Sequence, residues 1–430
     1  MEHIEIITLV SSFVVLLIIG VPVAYSVGLA SLCTILVSID SLPAFTTISQ
    51  RMATGLDSFS LLAIPFFVLA GQIMNQGGIA QRLIAFAKAL VGAFPGGLAY
   101  VNIIGAMLFG AISGSAMAAV SAIGGTLGPR MEEEGYEKEF GAAVNVASST
   151  TGLVIPPSNI LIVYSLASGG VSISALFLAG YIPGILMGLS LMVVAAIYAK
   201  VKKYPSGDAS SIRNIAVTFL QALPSLFMLV VVIGGIVVGI FTATEASGIA
   251  VLYSLILSII YGEINFSKIK NIAISSVSTT SVVTLLIACS MSMSWIMAYE
   301  DIPQAVTAAM FSISDNPVVV LLLINILLLC VGVFMDMTPA VLIFTPIFLP
   351  VVTSIGIDPV HFGIIMVMNL CIGLCTPPVG SVLFVGMGIA NVSLGQILRP
   401  LIPLFIAMIA VLMLVTYVPE LSLLLPNFFD

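Results

Sequence analysis

Apolar residues run along this chain in long stretches broken by short polar or proline-bearing segments. Stretches long enough to cross about 30 Å of hydrocarbon fall at 4–20, 23–38, 60–76, 137–168, 172–199, 218–240, 243–262, 272–296, 358–391 and 394–418. They predict roughly ten membrane spans. Two further apolar regions, 97–131 and 317–355, are interrupted by Ser113-Gly114-Ser115 and by Asp336-Met337-Thr338-Pro339. Each fits two half-length helices folded back as a re-entrant hairpin. Irregular backbone at membrane depth is tolerated only inside protein or around a water-filled cavity. The alternative is an ordinary pair of spans joined by a tight loop. The segments 79–93 and 301–314 read as amphipathic helices lying along the membrane surface.

Composition agrees with an all-α integral membrane protein: 60% of residues are hydrophobic, 7% are charged, and the mean hydropathy is +1.25. The 12 Lys and Arg are scattered against 19 Asp and Glu, which excludes a nucleic-acid partner. Cys33, Cys289, Cys330, Cys371 and Cys375 stand in apolar runs without a CxxC pair and are expected to be buried hydrophobes. His3 and His361 cannot form a His-rich metal centre, and no HExxH, GxSxG or P-loop string occurs, so neither an enzyme nor an ATPase is expected. Glu2 and Glu5 stand where a cleavable signal would be basic, so the first span is expected to stay.

With the two amphipathic segments on the surface, only Arg51 falls opposite the other Lys and Arg. The positive-inside rule then places the loop 200–213 in the cytoplasm and both termini outside, in the periplasm. That loop is also the one polar linker of any length, and 200–215 divides the chain into 1–199 and 216–430. At a nearly constant offset, Pro129 falls on Pro350, Gly135 on Gly356, Gly152 on Gly373 and Pro156-Pro157 on Pro377-Pro378. Gly28 likewise matches Gly248, Asn102 matches Asn325 and Ser113 matches Asp336. An odd number of spans in each copy makes these inverted repeats, which in secondary transporters place the binding site at paired discontinuous helices.

The discontinuities are at the two Pro-Pro pairs. Consecutive prolines remove two amide donors, freeing carbonyls around Gly152 to Ile155 and around Gly373 to Thr376 for a hard cation. Beyond each pair a half-helix restarts, near Ser158-Asn159 and near Gly380-Ser381, with unpaired amides suited to a carboxylate. The hairpin tips would complete two sodium sites, one per repeat. Ser113, Gly114 and Ser115 would join Thr151 and Gly152 in the first; Asp336 and Thr338 would join Gly373 and Thr376 in the second. Asp336 stands out because a carboxylate at mid-membrane costs about 3 kcal/mol. The alternative is that it caps a helix. Ser115, Ser158, Asn159, Gly380 and Ser381 are the candidate substrate contacts. Glu245 is a secondary candidate, since Thr242 and Glu245 also fit a capping box. Glu132, Glu133, Glu134, Glu137 and Glu139 read as a solvated cytoplasmic turn.

At these motifs the chain resembles the large membrane subunit of TRAP (tripartite ATP-independent periplasmic) transporters, within the ion-transporter group of elevator proteins. The resemblance rests on Gly-Ala-Ile-Ser-Gly-Ser (110–115), Ile-Pro-Pro-Ser (155–158), Gly-Ile-Phe-Thr-Ala-Thr-Glu-Ala (239–246), Phe-Met-Asp (334–336) and Thr-Pro-Pro-Val-Gly (376–380), and covers nearly the whole chain. It implies a scaffold from 1–76 and 218–296 and a transport domain from 97–199 and 317–418 that moves across it. It also implies two or more sodium ions as coupling ions, and residence in a bacterial cytoplasmic membrane. Its partners would be a small four-span subunit, expected as a separate chain, and a periplasmic substrate-binding protein. Family substrates are organic acids such as C4-dicarboxylates, keto acids and sialic acids, and the whole sequence looks closest to the sialic-acid branch. A self-sufficient sodium- or proton-coupled anion carrier of the same superfamily is the alternative.

Overall fold

The computed structural model describes residues 4–207 and 211–429. Glu2, His3 and the middle of the linker, 208–210, lie outside the described residues. The first half supplies α1 (Ile4–Ile18), α2 (Val23–Ser38), α3 (Ser41–Gly55), α4 (Ala63–Gln76) and α5 (Ile79–Val91). The first hairpin follows as α6 (Gly97–Ser113) and α7 (Ala116–Glu133), then a broken helix, α8 (Lys138–Thr151) and α9 (Asn159–Ala167), and the long α10 (Ile173–Lys202). The second half gives α11 (Ile212–Val237), α12 (Ala243–Ile260), α13 (Phe266–Tyr299) and α14 (Ile302–Ile313). Its hairpin is α15 (Pro317–Phe334) with α16 (Met337–Ser354), and its broken helix is α17 (Pro359–Gly373) with α18 (Ser381–Ala390). Helices α19 (Leu394–Tyr417) and α20 (Glu420–Phe429) end the chain.

The repeat is therefore visible element by element. Helix α5 answers to α14, each hairpin to the other, each broken helix to the other, and α10 to α19; α13 occupies the place of α3 and α4 together. Even turn chemistry is matched. Gly78 (φ +75°) and Asp301 (φ +52°) precede α5 and α14, and Gly135 (φ +84°) and Gly356 (φ +82°) close α7 and α16.

By length and hydropathy eight described helices could cross a membrane, both arms of the second hairpin among them. The difference from ten spans has a plain cause. Helices α1 and α2 are 15 and 16 residues long, and the broken helices divide into pieces too short to span. The hairpin arms have 17 or 18 residues, about 27 Å at 1.5 Å per residue, so each is long for half a span. Two helices were not foreseen. The stretch forming α3 is too polar to read as a span, yet Ala44 and Ile48 turn inward against α13; α20 is short and carries Pro426. The cysteine expectation is corrected in part: Cys33 and Cys330 are exposed on apolar surfaces, while Cys289, Cys371 and Cys375 are buried, and all are free thiols.

Helices α1–α4 pack with α11–α13, and α6–α10 pack with α15–α19. Helices α5 and α14 lie between the groups, α5 against α11 and α6, and α14 against α13 and α16. The repeats interlock within the second group: α7 packs on α18, and α16 packs on α9. After α10, the Pro205 carbonyl accepts the Gly96 amide at 3.1 Å, which ties the linker to the start of the first hairpin.

Candidate functional site

At the first hairpin tip α6 ends at Ser113, Gly114 turns the chain at φ +60°, and Ser115 caps α7 by accepting the Ala118 amide at 3.3 Å. The Ser113 hydroxyl lies 3.4 Å from both the amide and the carbonyl of Ser115. A Cβ on Gly114 would sit 2.8 Å from Asn159 Nδ2, and one on Gly71 of α4 would sit 2.7 Å from the Ser113 carbonyl. The tip is thus wedged between the restart of the first broken helix and α4. At the second tip Asp336 caps α16, its Oδ1 accepting the Met337 amide at 2.9 Å.

Behind each tip the hairpin meets its own broken helix backbone to backbone. A Cβ on Gly110 would lie 2.8 Å from the Gly152 Cα, and one on Gly332 would lie 2.9 Å from the Gly373 Cα. These are repeat-related pairs. A second repeat-related contact sits deeper: Ser148 donates to Asn102 Oδ1 at 3.1 Å, and Asn369 donates to the Asn325 carbonyl and Oδ1 at 2.9 and 2.8 Å. Such close approach suits membrane helices, whose association relies on packing and interhelical hydrogen bonds.

A cavity of about 250 Å³ joins the two tips. Its walls carry Ser113, Gly114, Ser115, Asn159, Asp336, Thr338 and Ser381 on one side, and Ile64, Val68 and Gln72 of α4 with Thr279 and Val283 of α13 on the other. It therefore lies where the two helix groups face each other. Four helices start at it: α7, α9, α16 and α18 contribute Ala116, Asn159, Met337 and Ser381 from their first turns. Their first-turn amides and aligned dipoles bring partial positive charge to the cavity, against the one carboxylate on its wall, Asp336. The buried Ser381 hydroxyl has no hydrogen-bond partner among the described residues, so it is available to a bound group.

Other expected residues sit apart. Thr151 and Gly152 are buried behind the first hairpin, Thr151 donating to the Ser148 carbonyl at 2.6 Å; Gly373 is buried behind the second. Thr376 donates to the Ile372 carbonyl at 2.8 Å, Ser158 donates to the Leu153 carbonyl, and Gly380 precedes α18. Several carbonyls freed by the prolines are taken locally: Gly373 by the Thr376 amide, Leu374 by Val382 and Thr376 by Gly380. Gly152, Val154, Ile155 and Cys375 keep carbonyls with no backbone donor among the described residues. The donors near the breaks are hydroxyl, carbonyl and carboxylate oxygens, the set a hard cation takes. Among the described residues no cluster of His, Cys, Asp or Glu suits a transition metal. Glu245 is exposed in a capping box with Thr242 at the start of α12 and does not line the cavity.

Sequence reasoning missed Gly71, Gly110, Gly332, Gln72 and Thr279. Gly110 and Gly332 could have been found as a further repeat-matched pair; Gln72 and Thr279 stand out only as polar residues in apolar helices.

Residues 10–421 match the family described as "Tripartite ATP-independent periplasmic transporter, DctM component". The chain belongs to that family. It is 56% identical to an uncharacterized Salmonella typhimurium protein, YgiK, over 99% of this chain and 98% of that one. It is 42% identical to the isethionate TRAP transporter permease DctMQ of Oleidesulfovibrio alaskensis, covering 97% of this chain and 65% of the relative. The sialic acid TRAP transporter large permease SiaM of Vibrio cholerae is 39% identical, with 96% of each chain covered. These permeases are named as transporters, not enzymes. In fold, the YdaH transporter of Alcanivorax borkumensis is similar, with a TM-score of 0.63 at 14% identity and 88% of each chain covered. This large permease is thus a multi-pass membrane protein of a transport family.

Proposed function

We propose that this chain is the translocating subunit of a sodium-coupled importer for an organic acid in a bacterial cytoplasmic membrane. The observation that carries the reading is the convergence of four helix starts and one carboxylate, Asp336, on a single cavity between the helix groups. The amides favour an anion, while Asp336 opposes it. Cations held beside Asp336 and Thr338, and beside Ser113 and the Gly152 carbonyl, would cancel that opposition. Substrate would then bind better when sodium is present, which is the thermodynamic content of coupling. Substrate would rest against Ser115, Asn159 and Ser381, with Ser158 and Gly380 shaping the half-helix starts. Movement of α6–α10 and α15–α19 across α1–α4 and α11–α13, with α5 and α14 as links, would carry the cavity between the two sides.

Family membership supports a membrane partner and a periplasmic binding protein; we propose a small four-span subunit as a separate chain. Relatives named for isethionate, for C4-dicarboxylates and for sialic acid lie within a few per cent of one another in identity. Organic anions as a class are therefore the proposal, with sialic acid one member. The 200–213 loop is proposed to be cytoplasmic and the termini periplasmic. The test is uptake by proteoliposomes holding the permease, its small subunit and its loaded binding protein. A sodium gradient is expected to drive accumulation, and Asp336→Asn to abolish it. Equal uptake under a proton gradient without sodium would contradict the reading.

A further inference from the structure

A second cavity, of about 130 Å³, lies between α7, α8 and α18, away from the hairpin tips. It opens beside Glu132, Glu137 and Lys138 and reaches inward to Asn102 and Asn145. Both asparagines are nearly completely buried, at 1% and 3% exposure. Each has one polar atom without a partner among the described residues: Nδ2 of Asn102 and Oδ1 of Asn145. Orphaned buried amide atoms are costly unless water or a ligand meets them, and the volume far exceeds the roughly 10–15 Å³ that one water needs. Pro129 also lacks the N–H that would bind the Gly125 carbonyl, so another oxygen on the wall has lost its helical donor.

The second repeat does not provide the same space. Gly124, Gly125 and Gly128 correspond to Thr345, Pro346 and Leu349, and Asn145 corresponds to Met366. There the Thr345 hydroxyl meets the Met366 sulfur at 3.3 Å. In the first repeat a Cβ on Gly124 would lie 2.1 Å from Asn145 Nδ2, so glycine is what admits the asparagine.

We infer that this pocket is a hydrated site for water and small monovalent cations, reaching from the acidic turn to the back of the first helix break. The inner end leads on through residues already paired: Asn102 accepts from Ser148, whose carbonyl accepts from Thr151, next to Gly152. At the mouth Glu132 pairs with Lys138 at 3.6 Å and Glu137 with Lys202 at 2.6 Å; beside it Glu133, Glu134 and Glu139 outnumber Arg130 on the same segment and give the turn a net negative sign. Use of the pocket by a coupling ion rests on the sodium reading above; its hydration and its preference for cations do not.

The test is thiol labelling of the full-length permease with Cys33 and Cys330 changed to serine, with and without Ala142→Cys on the pocket wall. Trimethylammonium-ethyl and sulfonato-ethyl methanethiosulfonates are compared at low salt without sodium. The folded Ala142→Cys protein is expected to be modified, about tenfold faster by the cationic reagent, and Gly128→Leu is expected to slow that modification at least fivefold, on the order of the steric block it places in the channel. Gly128→Ala, with nothing within 4 Å of its Cβ, is the control for the substitution itself. Gly141→Cys, whose Cβ would have the flexible Met131 side chain as its nearest neighbour at 3.6 Å, gives the same readings if Ala142→Cys does not fold. A thiol that reacts only after unfolding, or at a rate Gly128→Leu leaves unchanged, overturns the pocket. Equal rates for the two reagents overturn the cation preference. None of these outcomes depends on whether transport is sodium-coupled.

Discussion

Gly152 and Gly373 are places where a single carbon atom decides the packing. A Cβ on either would lie 2.5 or 2.6 Å from a glycine Cα of the facing hairpin arm, and rigid backbone cannot yield as a side-chain tip can. Gly152→Ala and Gly373→Ala are expected to destabilise by about 1–3 kcal/mol, the usual cost of overpacking. Gly388→Ala, with open space around it, is expected to be neutral or stabilising in thermal unfolding. Comparable losses at all three positions would refute the close-approach account. Asn369 donates two hydrogen bonds to Asn325 in a fully buried setting, so Asn369→Ala should cost about 1–3 kcal/mol by the same assay. The glycines beside the Pro-Pro pairs were legible because both copies carry them. Their partners, Gly110 and Gly332, were not singled out, since a glycine in an apolar helix has many explanations.

At the scale of elements, the breaks were readable because proline chemistry is local: two missing amides end a helix whatever surrounds it. The cavity's full character was not. Half-helix starts at α9 and α18 were expected, but α7 and α16 also begin there, and that convergence depends on tertiary packing that no local pattern encodes. Helix α3 escaped notice for the opposite reason, its inward residues being too few to stand out until α13 is laid against them. The capping box of Thr242 and Glu245 belongs to a different helix group from Asp336, and this separation is measurable. Glu245→Ala is expected to lower thermal stability slightly while leaving the sodium response intact, whereas Asp336→Asn should reduce or remove the response. Loss of the sodium response in Glu245→Ala would place that residue in the mechanism.

For the whole molecule, the inverted repeat explains why the site exists at all. Two copies of one hairpin and one broken helix, interlocked through α7 on α18 and α16 on α9, bring four helix starts to one cavity that neither copy could build alone. Charge distribution sets the proposed orientation, which predicts that Ser206→Cys, exposed in the linker, is labelled by a membrane-impermeant reagent only from the cytoplasmic side. Labelling from the periplasm would invert the topology.

Sodium coupling through Asp336 is the central claim, and it can be tested before any substrate is known, by the thermal stability of the purified permease in sodium against matched potassium. A ligand at about 100 times its dissociation constant adds about 2.7 kcal/mol to the folded state. The account predicts stabilisation of the wild type by sodium alone, reduced or lost in Asp336→Asn. Identical unfolding of the wild type in the two salts would contradict it.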